Sequence, residues 1–220
     1  MERIAPPPKR AVASLALAAA LAVAAAAPGG PATAQDALPE TLPHASPGGA
    51  PAAAPERPAP RVPETAEELL EALRIAPEGQ HDRIAQRIER LWSRSGSQSV
   101  DYLLKRGRDA LEDQDPEAAI DHLSAAIDHA PDFAQPYVDR AEAYYLAGRP
   151  GLALYDLRRA IELEPRHYDA LAGMGLVLSE LDEPEIALEA LRGALAIHPA
   201  YPDVEALIEM IEAELQGTPI

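Results

Sequence analysis

A period of 34 residues constrains this chain more than any other feature of it. Ala119, Ala153 and Ala187 recur at that spacing without gaps, and so do Leu123, Leu157 and Leu191, Ala126, Ala160 and Ala194, and Pro131, Pro165 and Pro199. The segment before each set repeats as well: Leu103, Tyr137 and Leu171, then Gly107, Ala141 and Gly175, then Ala110, Tyr144 and Leu178. A fixed period of this length means one supersecondary unit stacked on copies of itself, because a single unit cannot bury its own apolar face.

The residue types in each column say what the unit is. Two antiparallel helices per repeat must cross closely, so small residues are expected at the crossing, with Gly107, Ala141 and Gly175 facing Ala119, Ala153 and Ala187. The larger residues at Leu103, Tyr137 and Leu171, with Leu123, Leu157 and Leu191, are expected to fill the remaining space at interior density. Pro131, Pro165 and Pro199 stop each second helix, because proline removes a donor from the ladder.

The spacing and residue types over residues 100–201 resemble the tetratricopeptide repeat (TPR), in an exported bacterial form. The resemblance implies an all-α fold: a right-handed α-solenoid of three helix pairs at 100–133, 134–167 and 168–201. One column departs from the family pattern. Pro116, Pro150 and Pro184 stand where these repeats often carry an aromatic residue, at the first turn of each second helix, where a missing N–H is harmless. Asp115 is a good N-cap before the first of them; Arg149 and Glu183 are not.

Three repeats leave apolar faces at both ends, and both flanks carry helical patterns that can cover them. Residues 202–220 place Val204, Leu207, Ile211 and Leu215 on one stripe, read as a C-terminal capping helix with a short tail. Residues 63–99 read as a helical hairpin, a divergent cap or fourth unit. Thr65 and Glu68 form a capping-box pattern before Leu69, Leu70 and Leu73. After a break at 76–79, Ile84, Ile88, Leu91 and Trp92 share a stripe that ends at Ser95-Gly96-Ser97. Trp92, the sole tryptophan, is read as core.

Residues 1–34 have the form of a secretory signal. Arg3, Lys9 and Arg10 precede an apolar run from Ala11 to Ala27, and Ala32-Thr33-Ala34 forms a cleavage pattern before Gln35. The expected cut lies between Ala34 and Gln35. The apolar run is mostly alanine and short of the roughly 20 residues a bilayer span needs, so a membrane anchor is the weaker reading. Residues 35–62 are Pro, Ala and Gly with almost no large apolar side chain, the composition of a disordered linker.

The formal charge is −17 and becomes −19 once the net +2 of residues 1–34 is removed. Such a chain is repelled by phosphate backbones and anionic lipid, so nucleic acid is not an expected partner. The absence of cysteine excludes disulfides, thiolate metal sites and a lipid-carrying cysteine. No phosphate loop, serine elbow or zinc-protease pattern occurs, so no enzyme activity, small-molecule substrate or cofactor is expected. His122 and His129 share a helix face two turns apart and read as solvated, and His167 and His198 fall at repeat junctions, with no metal site assigned.

In the tetratricopeptide family the first helix of each repeat lines a concave groove that takes extended peptides or helices, and the resemblance implies the same here. The expected groove residues are Leu104, Lys105 and Arg108 in the first repeat, Val138, Asp139, Glu142, Tyr145 and Leu146 in the second, and Ala172 and Leu176 in the third. Asp101, Leu111, Gln135, Asp169 and Ser179 are expected to face the groove as well. The clamp of Lys, Asn and Arg with which some family members hold a C-terminal carboxylate is not reproduced, because Asp139 and Glu142 follow Lys105 and Arg108. Repeat 1 is net −6, repeat 2 neutral and repeat 3 net −5, which favours a protein or peptide partner that is partly apolar and partly basic. The expected role is a non-catalytic periplasmic scaffold. Two alternatives stay open: a part in envelope or secretion-system assembly, and a structural module that associates with itself.

Overall fold

The computed structural model describes residues 65–217, and the expected signal, cleavage site and linker lie outside them. Among the described residues there are nine α-helices and no strand: α1 (Ala66–Arg74), α2 (His81–Trp92), α3 (Gln98–Glu112), α4 (Pro116–His129), α5 (Gln135–Leu146), α6 (Pro150–Leu163), α7 (Tyr168–Glu180), α8 (Pro184–Ile197) and α9 (Pro202–Leu215). No helix among them is long and apolar enough to cross a membrane.

Helices α3/α4, α5/α6 and α7/α8 form the three pairs. The first helices of successive repeats approach one another, α3 to α5, α5 to α7 and α7 to α9, whereas the second helices of successive repeats do not. An array whose first helices converge curves around them, and they become its inner face.

The starts of the helices follow the sequence. Thr65 and Glu68 make the reciprocal capping box of α1. Pro116, Pro150 and Pro184 all open their helices; Asp115 caps α4 by accepting from the Ala118 N–H, and Arg149 and Glu183 make no side-chain cap. Gly107 and Gly175 sit where the helices of a pair cross. A Cβ on Gly107 would lie 2.5 Å from Leu123 Cγ, and one on Gly175 would press on Leu191 and reach 3.0 Å from the Ala187 carbonyl oxygen. The partners at the crossing are thus chiefly the leucines of the second helix, with the expected alanines fully buried beside them.

Two apolar residues depart from expectation. Leu215 is 49% exposed although it continues the stripe of the buried Val204, Leu207 and Ile211, because α9 ends there. Leu103 is only partly covered, while its neighbour Leu104 is buried in the core of repeat 1 with Ala119 and Leu123.

The hairpin is present, but its seat differs from that of a cap on repeat 1. Leu69, Leu70 and Leu73 of α1 and Ala85 and Ile88 of α2 share one apolar core with Tyr168, Ala172, Leu188, Leu191, Val204, Leu207 and Ile211, at the other end of the array. The α2–α3 connection of residues 93–97 lets the chain double back, with Gly96 at φ 84 and Gly79 at φ 80 at the two ends of α2. The hairpin therefore packs on repeat 3 and α9.

Candidate partner-binding inner face

Each inner helix begins with a polar residue that meets the hairpin or its neighbour. At the start of α3, the Asp101 carboxylate accepts from the Ser95 N–H at 2.8 Å and the Ser95 hydroxyl at 2.6 Å, which fixes the end of the hairpin. Two turns on, Arg108 donates through Nε to Asp139 Oδ2 of α5 at 2.5 Å and through Nη1 to Ser93 Oγ at 2.8 Å. Asp139 also accepts from Gln135 Nε2 at 2.6 Å, and Gln135 Oε1 lies 3.2 Å from His167 Nε2. Because the Gln135 amide nitrogen is engaged by the carboxylate, its oxygen faces the imidazole, and His167 carries its proton on Nε2. Above His167 the Trp92 ring is stacked at 4.1 Å between centroids, and Tyr168 lies 5.2 Å from the same indole.

Farther along, His81 of α2 faces His198 at 6.0 Å, and the Tyr201 hydroxyl donates to Asp169 Oδ1 at 2.8 Å. One polar and aromatic line thus joins all three repeats and α9 to the hairpin. His81, His167 and His198 are buried in it; sequence reading placed two of these only at junctions and gave none a packing role. A signal was available for His167, since the 34-residue register puts Phe133 and Tyr201 at the equivalent positions, a column of rings.

This line has a distinctive electrostatic setting. Burial, helped by the charge of Asp139, pushes Glu142 up to about 7 against the pull of Arg108. Burial likewise raises Asp169 to about 7, although the Tyr201 hydroxyl stabilises its charged form. Glu89 of α2 is raised by burial too, with Arg108 and Arg90 opposing. Burial, and secondarily the Arg108 charge, depress His167 to about 3, so it is neutral in the folded protein. Arg108 is the cation common to all four, opposing the rise of Glu142, Asp169 and Glu89 and adding to the fall of His167.

The expected groove residues divide into three sets. Leu104, Val138, Asp139 and Ala172 are buried, with Leu104 and Val138 in the cores of their own repeats and Ala172 in the core shared with the hairpin. Arg108, Glu142, Tyr145 and Leu176 are half-covered, and Tyr145 donates its hydroxyl to Glu180, joining the far ends of α5 and α7. Lys105 is exposed and held by Asp109 of its own helix at 2.6 Å, and Leu146 is 52% exposed at the end of α5. The geometry holds a helix by rings and hydrogen bonds; among the described residues no cluster of histidine and acidic side chains is arranged to hold a metal ion.

No family model matches the chain. A TPR repeat-containing protein of Rhizobium etli is 31% identical over 134 residues, 61% of this chain and 66% of that protein. The chain belongs to the tetratricopeptide-repeat family. A Bos taurus SGT1 homolog is 30% identical to this TPR chain over 116 residues, 53% of it and 34% of the homolog, so the chain spans about two thirds of the first relative and a third of the second. Among solved structures, the first TPR of Spaghetti (RPAP3) bound to the HSP90 peptide SRMEEVD superposes with a TM-score of 0.54 at 22% identity, over 55% of this chain and 98% of that one. MamA superposes with a TM-score of 0.51 at 22% identity, over 66% of this chain and 88% of that one. These likenesses establish the TPR solenoid as the fold.

Proposed function

We propose that this TPR protein is a non-catalytic scaffold that binds a helix or peptide on the inner face of its repeats, and that the leader at 1–34 exports it to the periplasm. The observation that carries the binding role is that the inner face already holds an amphipathic helix, α2, through Arg108, His167 and Tyr168. A surface that seats one helix by side-chain rings and a guanidinium has the chemistry to seat another. The solved neighbour with a bound HSP90 peptide supports the same use of the fold. The partner differs in charge, however: repeats 1 and 3 are net −6 and −5, so an apolar, basic segment fits better than an acidic tail.

Photocrosslinking residues placed at Leu146 and Leu176 on the inner side, and at the exposed Tyr155 of α6, test this reading in intact cells. Adducts to an envelope polypeptide from the first two positions and not the third are the expected result. Equal capture from Tyr155, or adducts only to cytoplasmic proteins, overturns the binding face or the export, respectively.

A further inference from the structure

The charge of the repeats calls for an apolar, basic helix, and the chain contains one. Helix α2 carries Arg83, Arg87 and Arg90 against Asp82 and Glu89, net +1, with Arg94 just beyond it. It is the one net-positive helix among the nine described, beside repeats of net −6 and −5 and a C-terminal segment from Pro202 of net −5. It also lies on the face where a partner is expected.

The way α2 is held resembles the holding of a ligand more than the packing of a repeat. Helices within and between repeats approach closely through their backbones, whereas α2 and the Ser93 that follows it reach the array through side chains: Ala85 and Ile88 in the shared apolar core, Trp92 on His167 and Tyr168, His81 by His198, and Ser93 at Arg108. The fit is incomplete. Among the described residues, the buried side-chain polar atoms without a protein partner are Trp92 Nε1, His167 Nδ1, the Tyr168 hydroxyl and His198 Nδ1, and all four lie along this seam. Buried polar atoms without partners weaken an interface, so a segment that satisfied them would hold the seat better. Gly79 and Gly96, both with positive φ, bracket α2, and α1 keeps its own anchor through the buried Leu69, Leu70 and Leu73.

We propose that α2 is an intramolecular ligand of the inner face, and that the external partner is an apolar, arginine-bearing helix with an aromatic residue that displaces α2 from the His167–Tyr168–Arg108 seat. This rests on the inner-face reading above and adds its regulation: the site is masked until a competing helix takes it. Affinity of the intact chain is then reduced by the fraction of molecules whose seat is open.

The test is a titration of a fluorescent peptide with the sequence of residues 80–95 against the full chain, its Ala85→Glu variant, and Ala85→Glu combined with Arg108→Ala. Ala85 is buried in the core that the hairpin shares with repeat 3 and α9, so a carboxylate there opposes docking of α2 without changing a repeat residue; Trp92→Ala is the second displacing variant. The displaced variants are expected to bind the peptide about tenfold or more tighter than the wild type. Arg108→Ala is expected to remove most of that gain, and a peptide with its arginines changed to glutamate is expected not to bind. Equal binding by wild type and displaced variants overturns the masking while leaving the inner face as a binding site. No binding by either displaced variant, with helicity of the repeats retained, overturns the inner-face seat as well.

Discussion

Two arginines make almost the same fork in different places. Arg140 donates to Asp156 at 2.7 and 2.9 Å and to Ser124 at 3.0 Å, tying repeat 1 to repeat 2 through α4, α5 and α6. Arg108 donates to Asp139 and Ser93, tying the hairpin to α3 and α5. The first pair is 15% and 1% exposed; the second is 38% and 9%. The same chemistry is thus sealed inside repeat 2 and half open where repeats 1 and 2 meet the hairpin. The packing within a repeat is built to stay shut, with glycine against leucine and a buried bidentate pair. The hairpin seam uses rings and polar tips, and it keeps the unpaired buried atoms.

The sharpest way to break this comparison is to remove each arginine. Arg140→Ala leaves Asp156 buried without its partner and is expected to cost about 3–5 kcal/mol of global stability by denaturant unfolding, while replacing both Arg140 and Asp156 with leucine restores most of the loss. Gly175→Ala drives a Cβ into Leu191 and is expected to cost about 1–3 kcal/mol, partly recovered when Leu191→Ala is added. Arg108→Ala is expected to cost about 1.5 kcal/mol, read as faster hydrogen exchange in α2 with α4, α6 and α8 unchanged. Equal effects of Arg108→Ala on α2 and on the outer helices contradict the difference between the seams.

A further expected effect is in the pH profile. Glu142 and Asp169 stand at about 7 in the folded protein against ordinary values of 4.5 and 3.8, so the folded state holds protons that the unfolded chain releases. Their favourable contribution is complete near pH 4 and is lost as pH rises through 7. His167 falls from 6.5 to about 3, so its contribution is present above pH 6.5 and is lost as pH falls toward 3. Stability relative to a His167→Gln variant is therefore expected to decline steadily from pH 6.5 to 4, in paired urea titrations, and to be constant above pH 7.5.

The repeats were legible because each column states its own reason: Gly107 and Gly175 need no side chain where Leu123 and Leu191 press, and Pro116, Pro150 and Pro184 open their helices. The hairpin was legible as two helices from Thr65–Glu68 and the Ile84–Trp92 stripe. Its seat was not, since an apolar stripe says that a face is buried and not against what. Nothing in the period speaks for a segment that lies outside it. The groove residues suffered the same limit. Leu104 and Val138 have the register of the inner face, yet the cores of their own repeats bury them, and Leu146 is left exposed at a helix end.

Trp92 is the sole tryptophan, so its indole gives one proton resonance that reports the hairpin seat directly. In the full chain, that indole is expected to show nuclear Overhauser contacts to the rings of His167 and Tyr168, with slow exchange of its N–H. Contacts to α3 and α4 in their place, or an indole N–H in rapid exchange with water, would contradict the account of an inner face occupied by the chain's own helix.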